Sequence, residues 1–377
     1  MKLVKRFSAS AVAAVLSLAL LSACSKNDET AGTSAPPPSD TASASGEAAN
    51  APEYGPDGRA FVDGALTQRF TLKIVKPTQF NEAIFADYEG FFDEVGIDVE
   101  YIDALGQGVS LAQAVQQGIV DVFGAGHTNN IVLARQAGVN LKIVNAATLD
   151  SPQFNQTHMT WFVQEDSPIQ SAADLSGRTI AFASLGGCEE IWNATLLRQN
   201  GLTHGDVEIT VINSPTAIEQ ALRQGQIDVG ILHGPNNVIA DAAGGLRVLA
   251  KSYDIAAEAG DGTLSAVGCR AFTEEFIAEH PAVIKAYVTA VNRAQVWANS
   301  NYDKALEDTA KFLDVDYERI AGCPYTASLW VEREKLQFWI DAAETAKLDG
   351  FETPGAVNVD DIFTNDYNPF YLGELSA

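Results

Sequence analysis

Cationic residues are scarce in this chain of 377 residues: 24 Lys and Arg stand against 49 Asp and Glu, a formal net charge of −25. Binding to nucleic acid rests on Lys and Arg neutralising phosphates, so nucleic acid is excluded as a partner. Histidine and cysteine are also few, five and four, and neither His-x-His nor Cys-x-x-Cys spacing occurs. That spacing is what marks a metal site in a sequence, so no metal and no cofactor are expected. His127, His158, His233 and Cys188 have the right ligand chemistry for a transition metal, but nothing in their spacing brings them together. A Gly-rich phosphate loop of the Gly-x-x-x-x-Gly-Lys type is missing too, so any nucleotide hydrolysis belongs to another chain. The apolar run Ala9–Leu21 falls short of the roughly 20 residues that a spanning helix needs.

What is present begins with an export signal. Lys2, Lys5 and Arg6 precede the short apolar run, and the small residues Ser22 and Ala23 lead to Cys24. A basic start, a short apolar stretch and a small-residue cleavage point form a secretory signal, here over residues 1–23. Leu21-Ser-Ala-Cys24 resembles the bacterial lipobox, which implies a lipidated Cys24 and an exported protein anchored to the cell membrane. Removing the signal leaves 21 bases against 49 acids. Residues 24–64 are rich in Ala, Ser, Gly and Pro, with Pro36-Pro37-Pro38 in the middle. They carry too little apolar surface to offset the entropy of ordering, and read as a tether. Three cysteines remain for an oxidising compartment, where disulfides are permitted. Cys269 and Cys323 are the preferred pair because both fall in the same lobe as assigned below.

The remaining body, about 310 residues, is long enough for two domains, and it says nearly the same thing twice. Ala114-Val-Gln-Gln-Gly118-Ile-Val-Asp121-Val122 matches Ala221-Leu-Arg-Gln-Gly225-Gln-Ile-Asp228-Val229 at an offset of 107, and Asp98-Val-Glu100 matches Asp206-Val-Glu208. Each copy reads as a strand, a helix, a Gly that ends the helix, and a second strand. The expected strands are 99–102 and 120–124 in one copy, 208–212 and 227–232 in the other. Gly118 and Gly225 fall where a helix C-cap takes a left-handed residue. Strands alternating with helices imply α/β architecture with parallel sheets. Ligands in such sheets bind beyond the carboxyl ends of the strands, so two facing lobes would share one cleft.

Several stretches extend the pattern. They are Thr71-Leu-Lys-Ile-Val-Lys-Pro-Thr-Gln-Phe80, Tyr88-Glu-Gly-Phe-Phe-Asp-Glu-Val-Gly-Ile97, Ser167-Pro-Ile-Gln-Ser-Ala-Ala-Asp-Leu-Ser-Gly-Arg-Thr-Ile-Ala181 and Phe272-Thr-Glu-Glu-Phe-Ile-Ala-Glu-His-Pro281. Together with the repeated Gln-Gly-x-x-Asp, they resemble the type II periplasmic binding proteins of the nitrate, sulfonate, taurine and thiamine-precursor group of ABC importers. The resemblance covers roughly residues 70–345. It implies a two-lobed fold with a hinge and central cleft, a small-molecule ligand, a monomer, and permease and ATPase subunits on other chains. It assigns 65–155 plus 254–377 to lobe one and 156–253 to lobe two. A binding protein rather than an enzyme is expected. The remote alternatives are a pyrimidine-synthesis-like enzyme using Cys188 with a histidine, or a metal receptor.

The strand-end rule and the repeat select the cleft residues. After the first strand come Thr78, Gln79, Phe80 and Asn81; after the first repeat come His127, Thr128 and Asn129; after the second come His233 and Asn236. The crossing strand adds His158 and Trp161, and the Gly-rich turn into a helix adds Ser184, Gly187, Cys188, Glu189 and Glu190. Such a turn is a ready anion site, and anion-binding relatives use hydroxyl residues there. Glu189 and Glu190 suit the helix N-terminus by themselves. Facing the cleft, they would oppose an anion and favour a neutral or cationic ring stacked on an aromatic side chain. The expected cargo is a nitrogen heterocycle such as a thiamine pyrimidine precursor, with an aliphatic sulfonate, taurine or nitrate-type anion as the alternative.

Overall fold

A computed structural model describes residues 52–103, 105 and 109–376. The export signal, Cys24 and most of the tether therefore lie outside the described residues. Among the described residues no helix is long and apolar enough to cross a membrane. The chain enters through a two-residue hairpin, β1 (Phe61–Val62) and β2 (Ala65–Leu66). It then builds β3 (Phe70–Val75), β4 (Ile97–Ile102) and β5 (Leu141–Ala146). Next come β6 (Met159–Gln164), β7 (Thr179–Phe182), β8 (Glu208–Val211) and β9 (Val229–His233). Finally β10 (Leu246–Lys251) and β11 (Cys269–Thr273) follow.

Both repeat copies are built by the same local devices. The helix Leu111–Gln116 starts on a Ser110 capping box and the helix Pro215–Arg223 on Ser214, with Pro at the first helical position. Gly118 and Gly225 stop them at φ 66° and 68°, a region that costs a residue with a Cβ. Gly118 N donates to Val115 O at 3.1 Å and Ile119 N to Ala114 O at 3.0 Å; Gly225 N and Gln226 N repeat this on Leu222 O and Ala221 O at 3.0 and 2.9 Å. These are Schellman ends, which satisfy carbonyls the helix leaves open. Each Asp then clasps the neighbouring strand. Asp121 accepts from Lys73 N at 2.8 Å and Asp228 from Thr179 N at 2.9 Å. Their own backbone N–H groups donate back to Lys73 O and Thr179 O at 2.9 and 3.0 Å.

The sheets differ from expectation in two ways. β3–β4 and β8–β7–β9 run parallel, but β6 lies antiparallel to both β9 and β10, giving a mixed five-stranded sheet ordered β10-β6-β9-β7-β8. The cause is topological: β6 brings the chain in from β5 and β10 returns it, and neither belongs to a strand–helix–strand repeat. The expected strand 120–124 is reduced to one bridge, Phe123 with Ala271. Asp121 bonds Lys73 on one side while Phe123 bonds Ala271 on the other, so the segment stitches β3 to β11 without pairing along its length. β11 in turn runs antiparallel to β5.

One apolar core joins Ile131 and Ile143 to Met159, Trp161, Phe182 and Trp192, and Trp339 closes it. Trp339 lies on the helix Arg333–Ala346, which packs on both the helix Thr128–Gln136 and the helix Cys188–Gln199. A second core surrounds the long helix Pro281–Ser300, and a third fills the outer face of β6, β7 and β9. The crossings between β5 and β6 and after β10 meet at a single buried carboxylate. Asp150 accepts from Ser151 N at 2.7 Å and His158 N at 2.8 Å, and from the hydroxyls of Ser252 and Ser265. Burial pushes this carboxyl above its usual range, against the lowering effect of those four bonds.

Candidate functional site

The loops that leave the strand ends converge on one cavity. β3 runs into Gln79, Phe80 and Asn81, where the Asn81 side chain accepts from Ala83 N at 2.9 Å and starts the helix Glu82–Tyr88. The first repeat runs into Gly126 and His127. A Cβ on Gly126 would come 2.5 Å from the Phe123 ring, at φ 151°, so only glycine fits this turn. His127 is the N-cap residue of the helix Thr128–Gln136. The second repeat delivers His233 at the last position of β9, before a cis Gly234–Pro235 bond. The crossing into β6 supplies His158, and β11 supplies Arg270. The cavity offers about 100 Å³. That is below the ~300–1,000 Å³ of pockets for drug-sized ligands, so this arrangement suits a solute of few heavy atoms.

Three imidazoles stand in a row across it, His127 and His158 with ring centres 5.2 Å apart, His158 and His233 at 4.9 Å. His127 Nδ1 lies 3.0 Å from Val267 O; because a carbonyl only accepts, Nδ1 carries the proton and Nε2 is the free nitrogen. Its ring lies flat on Trp339, 4.7 Å away and tilted by 8°, and Trp339 Nε1 is itself held by Leu264 O at 2.6 Å. Burial lowers His127 to about 4 and pushes His158 well below its ordinary value, so both are neutral at pH 7. The helix Cys188–Gln199 begins at the cavity edge with no side-chain cap on Gly187. Cys188 Sγ lies 3.1 Å from His233 Nε2, and His233 Nδ1 lies 3.4 Å from Glu189 Oε1.

A thiol beside an imidazole has the reach of a nucleophile and its base. The environment opposes that use, because burial and then the Glu189 carboxylate push Cys188 well above its ordinary value, whereas a nucleophilic thiol is a lowered one. The cavity is also poor in free positive charge. Arg270 is the one cation among the described residues lining it, and its guanidinium is locked in a buried pair with Glu82, Nη2 to Oε2 at 2.6 Å. Arg270 also donates from Nη1 to Cys269 O at 3.0 Å.

The structure brings Gln79, Phe80, His127, His158 and His233 to the cavity lining, with Cys188 and Glu189 bonded directly behind His233. Phe80 is buried, its ring packed on Tyr325 at 5.8 Å. The other expected residues lie elsewhere. Thr78 is exposed and borders a neighbouring pocket. Thr128 and Asn129 are buried in the helix start, with the Asn129 amide on Gly186 O. Trp161 is fully buried because its face of β6 turns to the core, where Nε1 donates to Asn193 Oδ1 at 3.1 Å. Ser184 is exposed, and Gly187 is buried at the helix cap. Glu190 turns back to accept from Gly186 N at 2.6 Å, and Glu189 is buried behind His233. Asn236 opens the helix Asn236–Ala242 beside the lining.

The expected Cys269–Cys323 pairing is corrected: Cys188, Cys269 and Cys323 are all free thiols. Cys269 points its sulfur at Gly126 O, 3.6 Å away, and Cys323 lines the cavity instead. Arg270, Thr148 and Cys323 complete the lining without having been expected there, whereas Asn81 was expected after the first strand. Asn81 carried a usable signal, an Asn before an apolar helix. Arg270 carried none, since a lone Arg inside a strand gives no hint of a carboxylate 188 residues away.

Comparison with known proteins agrees with this architecture. The profile of a family described as NMT1/THI5 like matches residues 77–305, more than half of the chain. A protein of Escherichia coli K12 named for binding aliphatic sulfonates is 30% identical over 150 residues. That match covers 39% of this chain and 44% of the relative, less than half of its length. The riboflavin-binding protein RibY of Chloroflexus aurantiacus is 24% identical over 372 residues, covering 94% of this chain and 96% of the relative. Among solved structures, the alkanesulfonate-binding protein of Xanthomonas axonopodis pv. citri bound to MOPS superposes with a TM-score of 0.61. Its identity is 17%, over 79% of this chain and 99% of that one, a likeness of fold: the two-lobed α/β binding-protein architecture.

Proposed function

The chain belongs to the NMT1/THI5-like family, and on that premise we propose that it is the substrate-binding lipoprotein of an ABC importer. It is anchored through Cys24 and hands a small solute to a membrane permease. The cleft lies between a lobe of residues 65–155 plus 254–377 and a lobe of 156–253, with the Asp150 junction as the hinge between them. Closure of such lobes on ligand is a common working motion. The cargo is a small nitrogen heterocycle, of the pyrimidine type.

The observation that carries the choice of cargo is the charge of the cavity. Its one cation among the described residues is already neutralised by Glu82, three imidazoles line it, and the Glu189 carboxylate stands behind His233. A sulfonate would leave water without gaining a free cation, and an unpaired buried charge is costly. A heterocycle finds donors and acceptors in the imidazoles, Gln79 and Asn81. The relatives' names offer both classes, an anion in the sulfonate binder and a ring in the riboflavin binder, and the charge favours the ring.

A thermal-shift panel on the signal-free protein tests this with pyrimidines, amines, sulfonates, taurine and nitrate. A ligand at a hundredfold excess over Kd stabilises the native state by about 2.7 kcal/mol. Saturable stabilisation by a pyrimidine or another small cationic ring is expected; stabilisation by a sulfonate alone would overturn the cargo assignment.

A further inference from the structure

The row of imidazoles ends on a thiol, and this cluster has a property the heterocycle reading does not use. One ligand atom each from His127, His158 and Cys188 lies within 4.8 Å of the others, and Cys188, Glu189 and His233 form a second such group sharing the sulfur. Tetrahedral zinc, with Zn–S about 2.3 Å and Zn–N about 2.0–2.1 Å, places its sulfur and nitrogen ligands roughly 3.5 Å apart. The side chains therefore need only rotamer-scale adjustment to close on one ion. We propose that His127, His158 and Cys188 bind a single transition-metal ion of the Zn2+ class, with His233 and Glu189 behind the sulfur.

Three independent observations point to a ligand here. His158 Nε2 is shielded from solvent and has no hydrogen-bond partner, which is unusual for a buried polar atom, and a metal bond would satisfy it. His127 already has the arrangement of a metal-ligating histidine: Nδ1–H donates to the Val267 carbonyl and Nε2 is left free, the outer-shell contact that fixes the ring and its tautomer. The stack on Trp339 holds that ring in place. Behind the thiol, His233 bridges Cys188 to the Glu189 carboxylate, with Nε2 3.1 Å from the sulfur and Nδ1 3.4 Å from Oε1, the outer-shell support that metal ligands characteristically carry. Two nitrogens and one sulfur suit zinc, or cobalt in its place, rather than Mg2+ or Ca2+, which prefer oxygen. Three protein ligands leave a fourth position open to a solute atom, as in zinc sites that exchange ligands. The inference rests on the receptor reading only for what fills that position.

The test uses the signal-free chain stripped of metal by chelator and titrated with Co2+ and then Zn2+. One equivalent of Co2+ should bring a thiolate-to-cobalt charge-transfer band together with the visible bands of a tetrahedral ion, and Zn2+ should abolish both. Cys188→Ser should remove the charge-transfer band, and His158→Gln should weaken Zn2+ binding at least ~10-fold. Both variants should keep the metal-free circular dichroism and melting temperature of the parent, so that a lost site is distinguished from a lost fold. Absence of the thiolate band in the parent, or equal metal affinity in parent and both variants, would overturn the proposal. Pyrimidine binding to metal-free protein that also rejects Co2+ would sink the metal site and leave the receptor reading standing. Metal binding with no response to any organic solute would do the reverse for the heterocycle.

Discussion

The two repeat copies begin alike and end differently. Up to the aspartate they share a capped helix, a Schellman glycine and an acid that clasps a strand's backbone, with distances agreeing to 0.1 Å. Beyond it, the second copy continues as a full strand, β9, inside a five-stranded sheet. The first copy is pulled between β3 and β11 and makes only isolated bridges, Phe123 with Ala271 and His127 with Gly268. Yet both deliver a histidine to the same cavity, His127 and His233, each just ahead of a helix. The local code thus fixes where the chain turns, while the neighbours decide whether the next segment pairs.

The largest effect that would break this comparison lies where β11 meets the first copy. Glu82→Ala strands the Arg270 guanidinium, which is almost fully buried, and should cost about 3–5 kcal/mol in chemical denaturation. A loss below about 1 kcal/mol would mean that the charge is solvated in the folded state.

The aspartates separate the copies more finely. Asp121→Ala removes an acceptor from Lys73 N and should cost about 1–3 kcal/mol. Asp228→Ala should fall at the lower end of that range or beneath it, because its side chain is 35% exposed against 10% for Asp121. A larger loss at Asp228 in urea unfolding would invert the ranking of the two clasps.

The glycines should not separate the copies at all. Gly118→Ala and Gly225→Ala each force a Cβ into left-handed backbone for about 1–2 kcal/mol. Steric contact adds little, since nothing lies within 4 Å of the Cβ at Gly118 and only Gln164, at 3.8 Å, at Gly225. Melting temperatures lowered by matching amounts would confirm that the two turns are one device; a twofold disparity would show that context enters there as well.

The repeat, the caps and the clasping acids were legible because each depends on residues within a few positions of one another. His127 and His233 were legible as strand-end residues for the same reason. Three things were not. Residues 120–124 carry a strand's apolar pattern, but pairing requires a partner to run alongside, and here the partners change between Asp121 and Phe123. Trp161 sits on a strand that could turn either face to the cavity, and Asn193 on a distant helix takes its N–H. The gathering of His127, His158 and Cys188 has no spacing signature at all, since a helix cap, a crossing segment and a helix start from separate parts of the chain supply them.

The charge argument for the cargo is tested most directly by isothermal titration of a pyrimidine and of an alkanesulfonate into parent protein and Glu189→Gln. The account predicts saturable pyrimidine binding that weakens roughly 10-fold in the variant, because Glu189 acts through the His233 imidazole it holds, and no sulfonate binding in the parent. Tight sulfonate binding that Glu189→Gln improves would contradict it.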